Sequence, residues 1–167
     1  MRLAAELEAL ELTVHPGHMT LPGRREESMK LLQDSLEQIG RLSEQIGVDV
    51  SLEIMEKIPK EFVTDAQSMK ESAGSRKKQF FYTLDVAHCD SEEEPFHILD
   101  HLKRISKIHI SNRKGGCYHT PLGDGDFSFK EMLPKLFAYG LPLVTEGYDD
   151  SRDFHRFTEN TAFLKAN

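Results

Sequence analysis

The sequence predicts an α/β protein with a parallel sheet and helical crossovers. Three observations predict it. Five short apolar runs alternate with segments of helical spacing. Residues 80–86 form a run apolar enough for a strand buried on both faces, the signature of a parallel sheet. Each run also ends, or nearly ends, in a carboxylate or a histidine. Residues 10–14 lead into His15, 48–52 into Glu53, 80–84 into Asp85, 105–108 into His109 and 141–145 into Glu146. Parallel strands carry their last residues to one end of a sheet, so these five side chains are expected to converge there.

The elements follow in order. Residues 10–14 give the first strand. Residues 28–46 repeat apolar residues at helical spacing, with Leu32, Leu36, Ile39 and Ile46 in one stripe, and Gly47 is a natural stop. Residues 48–53 alternate Val48, Val50 and Leu52 against Asp49, Ser51 and Glu53, as a strand does. Thr64 is expected to cap a short helix through Lys70. Ser91 with Glu94 reads as a capping box opening a helix to about Arg104. Residues 105–110 make the next strand. Ser128 with Glu131 repeats the capping signature ahead of Met132, Leu133, Leu136 and Phe137, and Gly140 ends that helix. Residues 141–146 are the last strand, and 151–164 close the chain with a helix bearing Phe154, Phe157 and Leu164. The stretches 22–27 and 71–78 are charged and expected at the surface. With no repeat and no linker, residues 1–167 read as a single domain.

Composition narrows the classes. A chain of 167 residues can bury a real core. Its net charge of -7 repels phosphate backbones, so nucleic acid is disfavoured as a partner unless a local basic patch exists. No apolar run approaches the roughly 20 residues of a membrane span. The acidic N-terminus lacks a signal-peptide layout. Cys89 and Cys117 are the only cysteines, too few for a disulfide scaffold, which points to a reducing, cytoplasmic setting.

Several residues carry chemistry, each with a plainer reading beside it. His15-Pro16-Gly17-His18 holds an imidazole at a strand tip through a tight turn, and imidazole suits zinc-like ions; otherwise His15 is a turn residue. Asp85 and His88, three apart, can face one cavity; otherwise Asp85 caps a helix and His88 is exposed. Glu53 and Glu146 end apolar strands, where an unpaired carboxylate is costly; a metal or a structural ion pair would offset that. Together with Asp85 and His109 they form a candidate four-ligand site. His119 opens a loop, 119–125, whose glycines allow close approach to a ligand; otherwise it is a surface histidine. Arg113 and Lys114 follow the His109 strand and either meet a substrate anion or remain solvated.

The ordered set HPG, LE, DxxH, IHIS, HxPLGxG and VTE resembles the xylose-isomerase-like barrel superfamily, which includes sugar isomerases and epimerases and the endonuclease IV enzymes (AP endonuclease family 2). The resemblance implies a partial (β/α) TIM-type barrel of five parallel strands alternating with helices, with the N-terminal three of eight units missing. It implies a divalent ion, manganese, magnesium, cobalt or zinc, on Glu53, Asp85, His109 and Glu146. It implies a sugar or sugar-phosphate isomerase or epimerase working through an enediolate, with Glu53 and Glu146 moving protons. In the endonuclease branch, His15, His88 and His119 match further zinc ligands, which implies the alternative of a zinc phosphodiesterase on abasic DNA. A third expectation is a catalytically silent metal-binding fragment or interaction module. His18, Arg113 and Lys114 are expected to contact a small-molecule sugar or sugar phosphate. Two residues depart from the pattern: Cys117 stands where the endonucleases have Asp, and Asn112 where Asp is frequent. Five units leave two open sheet edges, so a homo-oligomer is expected.

Overall fold

The computed structural model describes residues 1–74, 79–149 and 151–167. Residues 75–78, the end of the charged stretch 71–78, lie outside the described residues. The order is α1 (Arg2–Glu6), β1 (Glu11–Val14), α2 (Arg25–Ile46), β2 (Asp49–Glu53), α3 (Ala66–Ser72), β3 (Phe81–Asp85), α4 (Glu94–His101), β4 (Ile105–Ile110), β5 (Asn112–Lys114), β6 (Cys117–Thr120), α5 (Phe129–Phe137), β7 (Leu143–Thr145) and α6 (His155–Ala166). Five strands form one sheet in the order β1-β2-β3-β4-β7, and β5 and β6 form a separate hairpin. The pairs β1–β2, β2–β3 and β4–β7 are parallel. All five predicted strands are present, in the predicted order. By internal contacts the chain divides into Met1–Thr83 with His101–Ser106, and Leu84–Asp100 with Lys107–Asn167.

In the first unit, α2 buries Leu32 and Leu36 and ends at Gly47, whose φ of 70° is the left-handed conformation that glycine adopts without a Cβ clash. The alternation of β2 overstates its polarity, because Ser51 is as buried as Val50 and Leu52. The hydroxyls satisfy one another across the strands: Thr83 Oγ1 lies 2.9 Å from Ser51 Oγ, and Thr13 Oγ1 lies 3.2 Å from it. Asp65, rather than Thr64, caps α3. Its carboxylate accepts the Ser68 N–H at 2.7 Å while the Ser68 hydroxyl accepts the Asp65 N–H at 3.1 Å.

In the second unit neither expected capping box forms as written. Glu94 reaches back to the Asp90 N–H at 2.7 Å, so α4 begins at Glu94 and ends at His101. The Ser128 side chain makes no cap bond to α5. The closing helix starts at His155, where the Ser151 hydroxyl accepts the His155 N–H at 2.9 Å. Phe154 and Phe157 are exposed, and the residue α6 buries is Asn160, which accepts the Leu122 N–H at 2.8 Å. The sequence reading also missed the β5–β6 hairpin. Its signal was present: Gly115-Gly116 separates the two strands, and both have positive φ, as a two-residue hairpin turn requires.

Asn112 organises the loops of this unit. Its amide donates to the Leu122 carbonyl at 3.0 Å and to the Phe127 carbonyl at 2.9 Å. Its Oδ1 accepts the Arg113 N–H at 2.9 Å and the Phe127 N–H at 3.1 Å. The residue is 1% exposed, so all four bonds are made in the dry. Gly125 packs against it so closely that a Cβ would stand 2.1 Å from Asn112 Cγ. This explains asparagine at a position where aspartate is frequent in the resembling family: a carboxylate cannot donate to two carbonyls. Asn112→Asp is expected to destabilise the chain by about 3 kcal/mol or more, by repelling both carbonyls and burying a charge. Urea unfolding at neutral pH measures it, and an unchanged midpoint would contradict the role assigned to the amide.

Candidate metal centre

Parallel pairing is what assembles the site. In the second unit β4 and β7 pair with His109 opposite Val144 and Ile110 opposite Thr145, and the Glu146 N–H continues the ladder to the Ile110 carbonyl at 3.1 Å. The Val86 N–H bonds the His109 carbonyl at 3.0 Å, which fixes the end of β3 beside that of β4. Asp85, His109 and Glu146 therefore meet. His109 Nδ1 lies 2.5 Å from Glu146 Oε2 and 4.0 Å from Asp85 Oδ2. Each residue offers a ligand atom within 4.8 Å of the others.

Asp85 is fully buried. Its Oδ1 accepts the Ala87 N–H at 2.7 Å, which orients the other oxygen toward the histidines. The Asp85–His88 motif is thus no helix cap with an exposed histidine, since His88 is buried as well. His88 and His119 form a second group around the same carboxylate. His119 Nδ1 lies 3.9 Å from Asp85 Oδ2 and 3.0 Å from the Ser111 hydroxyl. The backbone of His119 is left-handed, at φ 61°, a strained position for a non-glycine residue that the surrounding structure must hold. Rings continue outward edge to face, with His88 5.9 Å from Tyr118 and His119 5.8 Å from Tyr148. Neither tyrosine stood out in the sequence, because only the hairpin and the end of β7 bring them here.

Of the loop candidates, Arg113 and Lys114 are already engaged. Arg113 donates to the Cys89 carbonyl, lies 3.7 Å from Asp90 and stacks 5.1 Å above the Tyr118 ring. Lys114 pairs with the exposed Asp124. Cys117 is exposed and belongs to neither ligand group among the described residues. In the first unit, Glu53 closes β2, 9% exposed, in register with Thr83. His15 Nδ1 accepts the Gly17 N–H at 2.9 Å, which in a neutral ring places the proton on Nε2, 4.0 Å from Glu61. His18 is exposed beside it. Glu61 gave no sequence signal, yet its side chain is fully buried and neither oxygen accepts a hydrogen bond from a described residue.

The Glu146 carboxyl is pushed down to about 2, chiefly by its hydrogen bond with His109, against the opposing effect of partial burial. A depressed carboxyl contributes stability that is complete above its ordinary value near 4.5 and is lost as pH falls toward 2. Without added cation, the chain is expected to lose stability across that window more steeply than Glu146→Gln. Urea midpoints between pH 5 and 2 test this, and parallel curves would contradict it. Because 40% of the side chain is exposed, solvent screening keeps the effect modest.

Two carboxylates and an imidazole, Asp85 buried and the other two partly so, are a convergent donor set of the kind a divalent cation takes. The profile of the xylose isomerase-like TIM barrel family, AP endonuclease family 2, matches residues 1–166. The chain belongs to that family. An uncharacterized protein of Methanocaldococcus jannaschii, MJ1614, is 25% identical over 156 residues, which are 90% of this chain and 61% of that protein. A D-tagatose 3-epimerase-like protein superposes with a TM-score of 0.82 at 22% identity, over 98% of this chain and 63% of its own. The IOLI protein with a bound zinc atom gives 0.72 at 18%, over 99% and 63%. Endonuclease IV from Thermus thermophilus gives 0.64 at 19%, over 98% and 65%. The five parallel strands and their helices are therefore a partial TIM-type barrel, and the chain spans about three fifths of the length of the proteins it matches.

Proposed function

We propose that this chain is the metal-holding part of a divalent-cation-dependent sugar or sugar-phosphate isomerase or epimerase. The convergence of Asp85, His109 and Glu146 at the ends of three parallel strands carries the reading, since barrels of this family type do their chemistry at that end. Glu53, which ends β2, supplies the fourth ligand. A bound divalent cation, manganese, magnesium, cobalt or zinc, supplies Lewis-acid polarisation of a sugar carbonyl. The residues of the chain do the rest. Asp85, braced by the Ala87 N–H, and His109 orient the site. Glu53 and Glu146 move protons at adjacent sugar carbons. Arg113, held by Asp90 and Tyr118, and the exposed His18 and Lys114 meet the polar substrate. The protein acts in the cytoplasm as a homo-oligomer.

The second group, Asp85 with His88 and His119, favours a second reading, an endonuclease IV-like phosphodiesterase with more than one zinc. The chain, loaded with each cation in turn, is incubated with ketohexoses in heavy water and, separately, with an abasic DNA duplex. Deuterium entering beside the carbonyl above the cation-free control is the expected result. Strand cleavage without exchange would replace the first reading with the second. Cation binding with neither activity would leave a metal-binding interaction module.

A further inference from the structure

The first unit holds a cavity of about 370 Å³ at the N-terminal ends of β3 and β4, lined by Lys70, Tyr82, His101, Lys103 and Arg104 among others. In a chain of net charge -7, the described residues of this lining include four basic side chains and no carboxylate. Among the described residues, Lys70, Lys103 and Arg104 form no ion pair with a carboxylate. Among the described residues, Lys70 Nζ makes one long contact, 3.4 Å, with the His101 carbonyl.

Arg104 is held in place without being used up. Its Nε donates to the Phe80 carbonyl at 3.0 Å and its guanidinium lies 4.4 Å above the Phe81 ring. Both terminal NH₂ groups stay available, and a guanidinium fork matches phosphate oxygens. The residue adopts φ 70°, a left-handed position where glycine is the usual occupant. Tyr82 is 3% exposed, and no described residue hydrogen-bonds its hydroxyl. Burial pushes the phenol up, so it stays a neutral donor. A cation fork, two ammonium groups and a phenol O–H around one concavity are donors with no acceptor among them.

We infer that this cavity binds a phosphate group, as inorganic phosphate or a small phosphate monoester. Three permanent cations suit a dianion better than a single carboxylate. The plainer account is that basic residues at the ends of α3 and α4 merely complement the helix dipoles. That account needs neither a cavity nor a phenol hydroxyl in its wall.

Calorimetric titration of the whole chain with inorganic phosphate, with glucose 6-phosphate and with sulfate, at fixed ionic strength, decides between them. Saturable one-to-one binding of phosphate or of the ester is expected, and the tighter of the two identifies the source. Arg104→Gly removes the fork while relieving the left-handed backbone, so it should fold at least as well and weaken binding about tenfold or more. Tyr82→Phe should weaken it by about threefold, the loss of one neutral hydrogen bond. No saturation up to about 10 mM, which is weaker than ordinary recognition, would overturn the inference. So would sulfate and phosphate binding that is unchanged in both variants. So would a loss of helix stability in Lys70→Gln with no phosphate binding by the parent.

Discussion

Asp85→Asn is expected to weaken divalent-cation binding by more than about 100-fold, beyond the roughly 10–100-fold that a merely supporting residue costs. Asp85 is the residue common to both ligand groups, so its charge serves whichever of them is filled. Asparagine keeps the shape and can still accept the Ala87 N–H that braces the side chain, so the fold should survive. The two groups then separate by their histidines. His88→Ala should reduce only the stoichiometry assigned to Asp85, His88 and His119. His109→Ala should abolish the site shared with Glu146. Titration with zinc and with manganese, with unfolding curves as a control, measures all three. Unchanged affinity in a folded Asp85→Asn chain would remove the metal centre from this end of the sheet.

Glu146→Gln should lower deuterium exchange at the sugar carbon by about 10²–10⁴-fold, the range that a positioned acid or base supplies. Glutamine preserves volume but accepts no proton, so the loss falls on the chemical step. Glu146 is also a ligand, so both proteins must be compared at saturating cation, with affinity measured separately. The contact between His109 Nδ1 and Glu146 Oε2 sharpens the test. Metal ligands bind deprotonated, so a cation must displace any proton shared by these two atoms. Cation binding should therefore release a proton in the parent chain and fewer in Glu146→Gln, which calorimetry in buffers of different ionisation enthalpy resolves. Full exchange in Glu146→Gln at saturating cation would end its acid/base assignment.

The sequence by itself determined the five strands, their alternation with helices and the residues that end them. Those features are local: a strand core such as Tyr82–Leu84 declares itself by composition, and Gly47 by the conformation a helix stop demands. It also determined that Asp85, His109 and Glu146 would meet, because parallel pairing leaves their positions no freedom. Helix starts were less legible. Ser, Thr and Asp side chains in one stretch compete for the same backbone N–H groups, and small differences in packing chose Asp65 over Thr64 and left Ser128 without a cap bond. Only the tertiary structure decided the rest. The hairpin of Asn112–Lys114 with Cys117–Thr120 brings His119 back to Asp85, and the Asn112 amide holds the loops that make this possible. The burial of Ser51 and Glu61, the exposure of Phe154 and Phe157, and the basic cavity around Arg104 likewise join residues far apart in the chain. Hydrophobic periodicity reports which face of one element seeks the core, but which polar groups then share a dry space depends on what packs against that face.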